Sequence, residues 1–361
     1  MRQAMQSPYM EWAKTRAQAK FNLATSGLMP YPLAELPVSL ADLELSGPSF
    51  YGYEPLQRAI AARCDAPIES VVAATGTSMA NHLVMAATLE PGDQVLIEQP
   101  TYELLVSTAR YLGAEVRRFA RHFADGFRLD PRAIARAATQ RTRLIIITNL
   151  HNPSSALTDE DALREVGRIA RRVGARVLVD EVYLDAAFDR GLRSAFHLGP
   201  EFITTTSLTK VYGLGGLRCG WILADPALAR RLWRLNDLFG VIPAHVAERL
   251  SCAAFAHIDR VAARARRILE ANRATLNRFL ATRPDLESTP LEYGTVSFPR
   301  LRTGQVAQLC ALLRETYDTT VVPGSFFEMP EHFRIGIGAD PETFAGGLER
   351  LGAALDHISE R

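Results

Sequence analysis

The chain has 361 residues, 47% hydrophobic and 22% charged, with 41 basic side chains against 40 acidic ones and a formal net charge of +1. That balance leaves no electrostatic footprint for a nucleic acid or an anionic membrane surface, and the length suits one large domain plus a smaller one. Four scattered cysteines, Cys64, Cys219, Cys252 and Cys310, form no C-x-x-C pair, which argues against a zinc site or a disulfide framework.

The opening stretch, MRQAMQSPYMEWAKTRAQAK, is polar and lacks the apolar core of a secretory signal. No apolar run approaches the roughly eighteen residues of a membrane span, so a reducing cytoplasm is the expected compartment. Seven short β-branched runs then predict strands: VVAAT (71–75), QVLIEQ (94–99), EVRRF (115–119), RLIIIT (143–148), RVLVD (176–180), FITTTS (202–207) and CGWILAD (219–225). Helical patterns separate them. SMANHLVMAATLE (78–90) has Gly76 before it and the breaker Pro91-Gly92 after it, and TDEDALREVGRIARRV (158–173) opens on a capping-box-like Thr158 with Asp161. Strand–helix alternation predicts a mainly parallel sheet covered on both faces. Residues 227–281 carry long helical patterns leading into a C-terminal α+β unit with TVSFPRL (295–301), a helix near 304–316, TTVVPG (319–324) and FRIGIG (333–338).

In such sheets ligands bind beyond the carboxyl ends of the strands. VVAAT is followed by Gly76-Thr77-Ser78 at a helix start, which suits either a phosphate or an ordinary capped turn. RLIIIT runs into Asn149-Leu150-His151-Asn152-Pro153, where Asn152 offers an amide and His151 is either a polar contact to a ligand or a solvated loop histidine. RVLVD closes on Asp180, which needs a partner if buried: a helix cap or the counter-charge of a cationic ligand. No metal-like spacing accompanies it, so no metal is expected.

FITTTS leads to Lys210. Of the 41 basic side chains only Lys14, Lys20 and Lys210 are lysines, leaving 38 arginines. A lysine at the mouth of a buried sheet loses its proton more easily than a surface lysine, and a neutral amine attacks a carbonyl to form a Schiff base. Arginine stays protonated and cannot do this. A phosphate cradle, an amide, a buried aspartate and a strand-end amine together match the needs of pyridoxal 5′-phosphate, with Arg218 as a two-point cation for its phosphate.

The residues that carry this set resemble the class I/II aminotransferases, the fold type I pyridoxal-phosphate enzymes. SLTKVYGLGGLRCGW fits their pattern S-x-[ST]-K with Gly213, Gly216, Arg218 and Gly220 in place, HNPSS stands where they have NPTG, and DEVY fits their aspartate–tyrosine motif. Ser155 replaces the glycine of NPTG. The resemblance implies an aspartate-aminotransferase-like three-layer α/β fold, with a seven-stranded mostly parallel sheet and CGWILAD as its antiparallel member. It implies an N-terminal segment (1–45) packing on the small domain, a large cofactor domain (46–240) and a smaller α+β C-terminal domain (241–361).

By position it implies that Lys210 links to the cofactor and shuttles the proton. Asp180 pairs with the pyridinium nitrogen, while Tyr183 and Asn152 bond the 3′ oxygen. Thr77, Ser78, Ser207, Arg218 and the N–H of Met79 hold the phosphate, and Tyr102 stacks on the ring. Arg334 binds the substrate α-carboxylate, and Gly27 closes over the substrate. Tyr51, or else Tyr53, reaches the phosphate of a second subunit, which implies a homodimer with shared sites.

The implied reaction is ping-pong transfer of an α-amino group between an amino acid and a 2-oxo acid. A β-eliminating lyase, a decarboxylase and an amino-acid cyclase or oxidase share these motifs. A ligand-sensing domain of the same fold is a different class, and it would carry a winged helix ahead of the fold. The side-chain pocket is expected around Glu11 and Trp12 and the loop from Asn236 to Pro243; aromatic, aliphatic and dicarboxylic donors all fit the motifs.

Overall fold

A computed structural model describes residues 6–188 and 190–359, so the first five residues of the expected N-terminal segment lie outside the described residues. Along the chain the helices are α1 (Pro8–Thr15), α2 (Glu54–Cys64), α3 (Gly76–Thr88), α4 (Glu103–Tyr111), α5 (Pro131–Ala137), α6 (Glu160–Val173), α7 (Pro226–Asn236), α8 (His245–Ala256), α9 (Ile258–Ala281), α10 (Val306–Tyr317) and α11 (Pro341–Ser359). After a short β1 (Phe21–Asn22) come seven strands that form one sheet: β2 (Val71–Thr75), β3 (Gln94–Gln99), β4 (Glu115–Ala120), β5 (Thr142–Thr148), β6 (Arg176–Asp180), β7 (Phe202–Ser207) and β8 (Cys219–Leu223). The small strands β9 (Leu286–Glu287), β10 (Val296–Ser297), β11 (Arg300–Leu301), β12 (Thr319–Thr320), β13 (Val322–Pro323) and β14 (Phe333–Gly336) follow.

The large sheet runs β2-β8-β7-β6-β5-β3-β4, and β8 alone is antiparallel to its neighbours. The seven expected strands are therefore these seven. Their apolar runs are continuous because both faces are buried, and the period of two divides them cleanly. Leu144 and Ile146 of β5 pack with Leu83 and Val84 of α3 on one face; Ile145 and Ile147 pack with Leu163 and Val166 of α6 on the other. No helix among the described residues is long and apolar enough to cross a membrane.

Two local expectations are corrected. α3 begins at Gly76 rather than at residue 78, which places Thr77 and Ser78 inside its first turn. α6 is capped by Asp159, whose side chain accepts from the Ala162 N–H, and not by Thr158. Thr158 is buried and its hydroxyl is taken by the Arg121 guanidinium at 2.6 Å.

The N-terminal chain crosses to the C-terminal unit. β1 pairs parallel with β12, and the Gly336 N–H of β14 bonds the Leu23 carbonyl at 2.7 Å. This contact requires glycine, since a Cβ at residue 336 would stand 1.9 Å from the Thr25 carbonyl oxygen. The same segment then turns over the large sheet, where the Leu28 N–H bonds the Lys210 carbonyl at 2.7 Å.

Gly220 sits on β8 directly under the start of α3, and a Cβ there would lie 2.6 Å from the Gly76 carbonyl carbon. Gly220→Ala is expected to lower stability by about 1–3 kcal/mol through overpacking against backbone that cannot yield. Denaturant unfolding of the variant beside the parent checks this, and an unchanged midpoint refutes it.

Candidate active site

The carboxyl ends of β2, β5, β6 and β7 open into a cleft of about 330 Å³, walled on its far side by α1 and residues 22–26. Its first corner is the start of α3. Gly76 adopts φ +76, and its N–H bonds the Arg218 carbonyl at 2.8 Å. No side chain caps this helix, so first-turn N–H groups are left to the cleft. Thr77 Oγ1 donates to Ser207 Oγ at 2.9 Å, and the Thr209 N–H reaches the same oxygen at 3.3 Å. Arg218, itself left-handed at φ 49, lays its guanidinium over Gly76: a Cβ there would be 2.2 Å from Nη2. No ion pair holds Arg218 among the described residues; it donates only to the Thr75 and Gly215 carbonyls. Uncapped N–H groups, two hydroxyls and an uncommitted guanidinium make an anion site that fits a phosphate.

The second corner is Asp180, 4% exposed. Oδ2 accepts from Asn81 Nδ2 at 2.8 Å and Oδ1 from the Val182 N–H at 3.1 Å. Burial raises its pKa to about 6, against the opposing pull of those two donors and of Lys210. A cationic ring nitrogen beside it would complete its solvation, and no helix starts at it. Asn81 is fixed from behind by Thr205 Oγ1 at 2.6 Å.

Lys210 faces this aspartate across the cleft. Its Nζ donates to Ser26 Oγ at 3.1 Å, and Tyr183 OH donates to the same oxygen at 2.9 Å. Burial, then the positive charges of Arg334 and Arg218, lowers the Lys210 pKa to about 8, with Asp180 opposing. Burial pushes Tyr183 up to about 12, so it remains a phenol and a donor. Gly27 lies against the lysine stem, where a Cβ would come 3.3 Å from Lys210 Cδ.

Arg334, with no exposed surface, lies behind the cleft wall and is not among its lining residues. Nη1 donates to Asn152 Oδ1 at 3.0 Å; Nη2 donates to Tyr9 OH at 2.9 Å and to the Ala24 carbonyl at 3.1 Å. Its Nε has no partner, and no carboxylate pairs with it among the described residues. Asn152 is placed in turn by its N–H on Thr148 Oγ1 at 2.9 Å. Thr148 donates its N–H and hydroxyl to Glu98, both at 2.7 Å, and Glu98 is held by buried Arg121 at 3.1 Å.

Nine of the expected residues line the cleft together: Thr77, Ser78, Tyr102, Asn152, Asp180, Tyr183, Ser207, Lys210 and Arg218. Met79 turns its side chain into the core and has only its N–H to offer. Tyr51 is 45% exposed and stands away from its own cleft, beside Trp233 and 3.4 Å from Asp237. Tyr53 is partly buried against His245. His151 is neither a solvated histidine nor a cleft contact: it is buried between Ser154 Oγ at 2.6 Å and the Pro100 carbonyl at 3.0 Å, and burial holds its pKa well below the ordinary value. Ser155, at φ 62, occupies the left-handed conformation that favours glycine. Of the two side chains expected at the pocket, Trp12 lines the cleft and Glu11 is exposed outside it.

Sequence reasoning missed Asn81, Ser26 and Tyr9. Asn81 had a readable signal, since it stands one helical turn after Thr77 and shares its face. Ser26 and Tyr9 reach the cleft only through the crossing of the N-terminal segment.

Three features of the cleft together fit pyridoxal 5′-phosphate: an anion cradle, a buried carboxylate for a protonated ring nitrogen, and, in Lys210, an amine of lowered pKa for the aldehyde. Comparison with known proteins agrees. The family model for aminotransferase class I and II matches residues 43–351. A capreomycidine synthase of Streptomyces vinaceus is 30% identical over 97% of this chain and 93% of its own. Among solved structures, a PLP-dependent aminotransferase from Streptococcus suis superposes with a TM-score of 0.93 at 26% identity, covering 99% of each chain. The PLP-dependent cyclase OrfR superposes at 0.88 and 26%, covering 99% of this chain and 98% of that one.

Lys210 is protonated below its pKa of about 8 and nucleophilic above it. Covalent capture of pyridoxal phosphate by the cofactor-stripped protein, followed by the visible band, is therefore expected to quicken as pH rises through about 8 and then level off. A rate still climbing towards the roughly 10.4 of an exposed lysine would refute the depressed pKa.

Proposed function

The chain belongs to the class I and II aminotransferase family, and on that premise we propose that it moves an α-amino group between an amino acid and a 2-oxo acid by a ping-pong route through Lys210. The observation that supports this is Lys210 in the cleft with Arg334 buried directly behind Tyr9, Asn152 and Ala24, three residues of the cleft wall. Arg334 is a buried cation with no counter-ion among the described residues, so a substrate carboxylate docking on it supplies the charge it lacks. Asn152 and Tyr9 hold the guanidinium so that the carboxylate is gripped at a fixed angle. That grip keeps the carboxylate in place and leaves the α-hydrogen as the group to be removed. Bound pyridoxal phosphate supplies the electron sink that makes this hydrogen acidic. Lys210 Nζ takes the proton from the substrate α-carbon and returns one to the carbon that receives the nitrogen. Ser26 and Tyr183 keep the amine aimed between those two positions.

A cyclase is the second reading, favoured by the 30% identity to a capreomycidine synthase and by the likeness to OrfR. It uses the same lysine, aspartate and arginine, and differs in that the product keeps its nitrogen in a ring. The four cysteines are free thiols, which suits the reducing cytoplasm that belongs to this reading.

We also propose the homodimer. Phe50, Leu238, Phe239, Val241 and Ile242 are exposed, and Tyr51, near Asp237, places its phenol beside them. Such a cluster of large apolar side chains suits a protein interface. Seated there, Tyr51 would serve the phosphate of the second copy.

Incubation of the holoenzyme with an amino-acid panel, read by mass spectrometry, is expected to release a 2-oxo acid and leave pyridoxamine phosphate. Lys210→Arg should cut the proton-transfer rate by roughly 10²–10⁴-fold while the protein stays folded. Arg334→Lys should raise KM by about 10–100-fold. A cyclic product with its nitrogen retained, and no oxo acid, moves the assignment to the cyclase.

Light scattering tests the assembly. Two copies are expected for the parent and one for the Phe239→Asp, Ile242→Asp double variant. A monomeric parent overturns the shared site.

A further inference from the structure

We infer that helix α1 is the wall that selects the substrate, and that it selects amino acids with a neutral apolar side chain, aromatic or long aliphatic. The inference rests on the proposed docking of the substrate carboxylate at Arg334. α1 is tied to that point: Tyr9 OH accepts from Arg334 Nη2 at 2.9 Å, so the helix passes directly beside the carboxylate position. Its start is fixed as well. Ser7 caps the helix by accepting from the Met10 N–H, and its hydroxyl donates to the Glu103 carboxylate of α4.

The face of α1 turned to the cleft is Tyr9, Met10, Trp12 and Ala13, continued by Ala17. Glu11 and Lys14 lie exposed on the outer face. Behind the inner face stands an aromatic cluster: Tyr9 meets Tyr102 edge-on at 5.7 Å and Phe326 at 5.5 Å, and Trp12 meets Phe326 at 5.4 Å. Tyr102 OH donates to Met10 Sδ at 3.5 Å, which turns the thioether towards the same space.

The charged side chains that line the cleft are Asp180, Lys210 and Arg218. All three face the cofactor position. A carboxylate or guanidinium on the substrate side chain would be desolvated against α1 with no counter-charge from the described residues of that wall. An aromatic or branched side chain buries apolar area against Met10, Trp12 and Ala13 and gains from it.

Carboxylic acids without an amino group test this, because they dock without reacting. Calorimetric titration of the holoenzyme with hydrocinnamate, isocaproate, glutarate and guanidinovalerate separates the side-chain classes. Hydrocinnamate or isocaproate should bind at least about tenfold tighter than glutarate or guanidinovalerate. Trp12→Ala should erase most of that preference and Trp12→Phe should keep it. Tighter binding of glutarate or guanidinovalerate overturns the α1 assignment while leaving Arg334 as the carboxylate site. Failure of all four to bind overturns the carboxylate site itself, and the selectivity with it. Selective binding by an enzyme that releases no oxo acid upholds the wall and refutes only transamination.

Discussion

A guanidinium with no exposed surface, and with no carboxylate beside it among the described residues, ties distant parts of this chain together. Arg334 comes from β14 of the C-terminal unit, yet its donors reach Tyr9 of α1, the carbonyl of Ala24 and the amide of Asn152 at the end of β5. Burying a charge in this way is costly unless it is fully solvated by partners. Here neutral oxygens solvate it, and its Nε remains without one. Among the described residues no anion answers its charge. Much of the surrounding architecture serves to keep it so: the pairing of β1 with β12, the close pass of residue 25 over Gly336, and the cap that fixes α1.

The opposite side of the cleft uses the same physics with the sign reversed. Asp180 is a buried carboxylate with neutral donors, and its raised pKa shows that burial outweighs them. Lys210 sits between the two, and the positive charges of Arg334 and Arg218 join burial in favouring its neutral form. None of the three pairs with another in a tight ion pair. By contrast Arg121 and Glu98, buried nearby, meet at 3.1 Å, and Glu98 acts as framework for Thr148 and through it Asn152. A buried ion pair behind a set of charges that do not pair with one another separates framework from cleft.

What the sequence disclosed followed from locality. The seven strands were legible because a sheet buried on both faces demands unbroken apolar runs, and Lys210, Asp180, Asn152 and Thr77 were legible because each stands just past such a run. α3 was misplaced by two residues because its start has no side-chain cap to advertise it. Thr158 was taken for a helix cap because local spacing cannot show that Arg121, in another strand-end loop, claims its hydroxyl. Tyr9 and Ser26 were invisible for the same reason. Their positions depend on the N-terminal segment crossing to β12 and back, and no periodicity records that path. His151 likewise shows as a loop residue in sequence and as a buried tie in space.

The two readings of the reaction share every residue at the cofactor, so the discrimination lies elsewhere. Forming a ring requires the substrate side chain to carry a nucleophile and to present it to the reacting carbons. A wall that presented such a group would need polar or charged partners to orient it. The inner face of α1 instead offers Met10, Trp12 and Ala13, backed by aromatic rings. Apolar surface of that kind holds a side chain by area and gives it no direction. A side chain held in this way takes no part in the chemistry, and the only bonds left to change are those at the α-carbon. If α1 selects as inferred, the wall disfavours ring closure, and the choice among reactions at the α-carbon rests with the groups around the lysine.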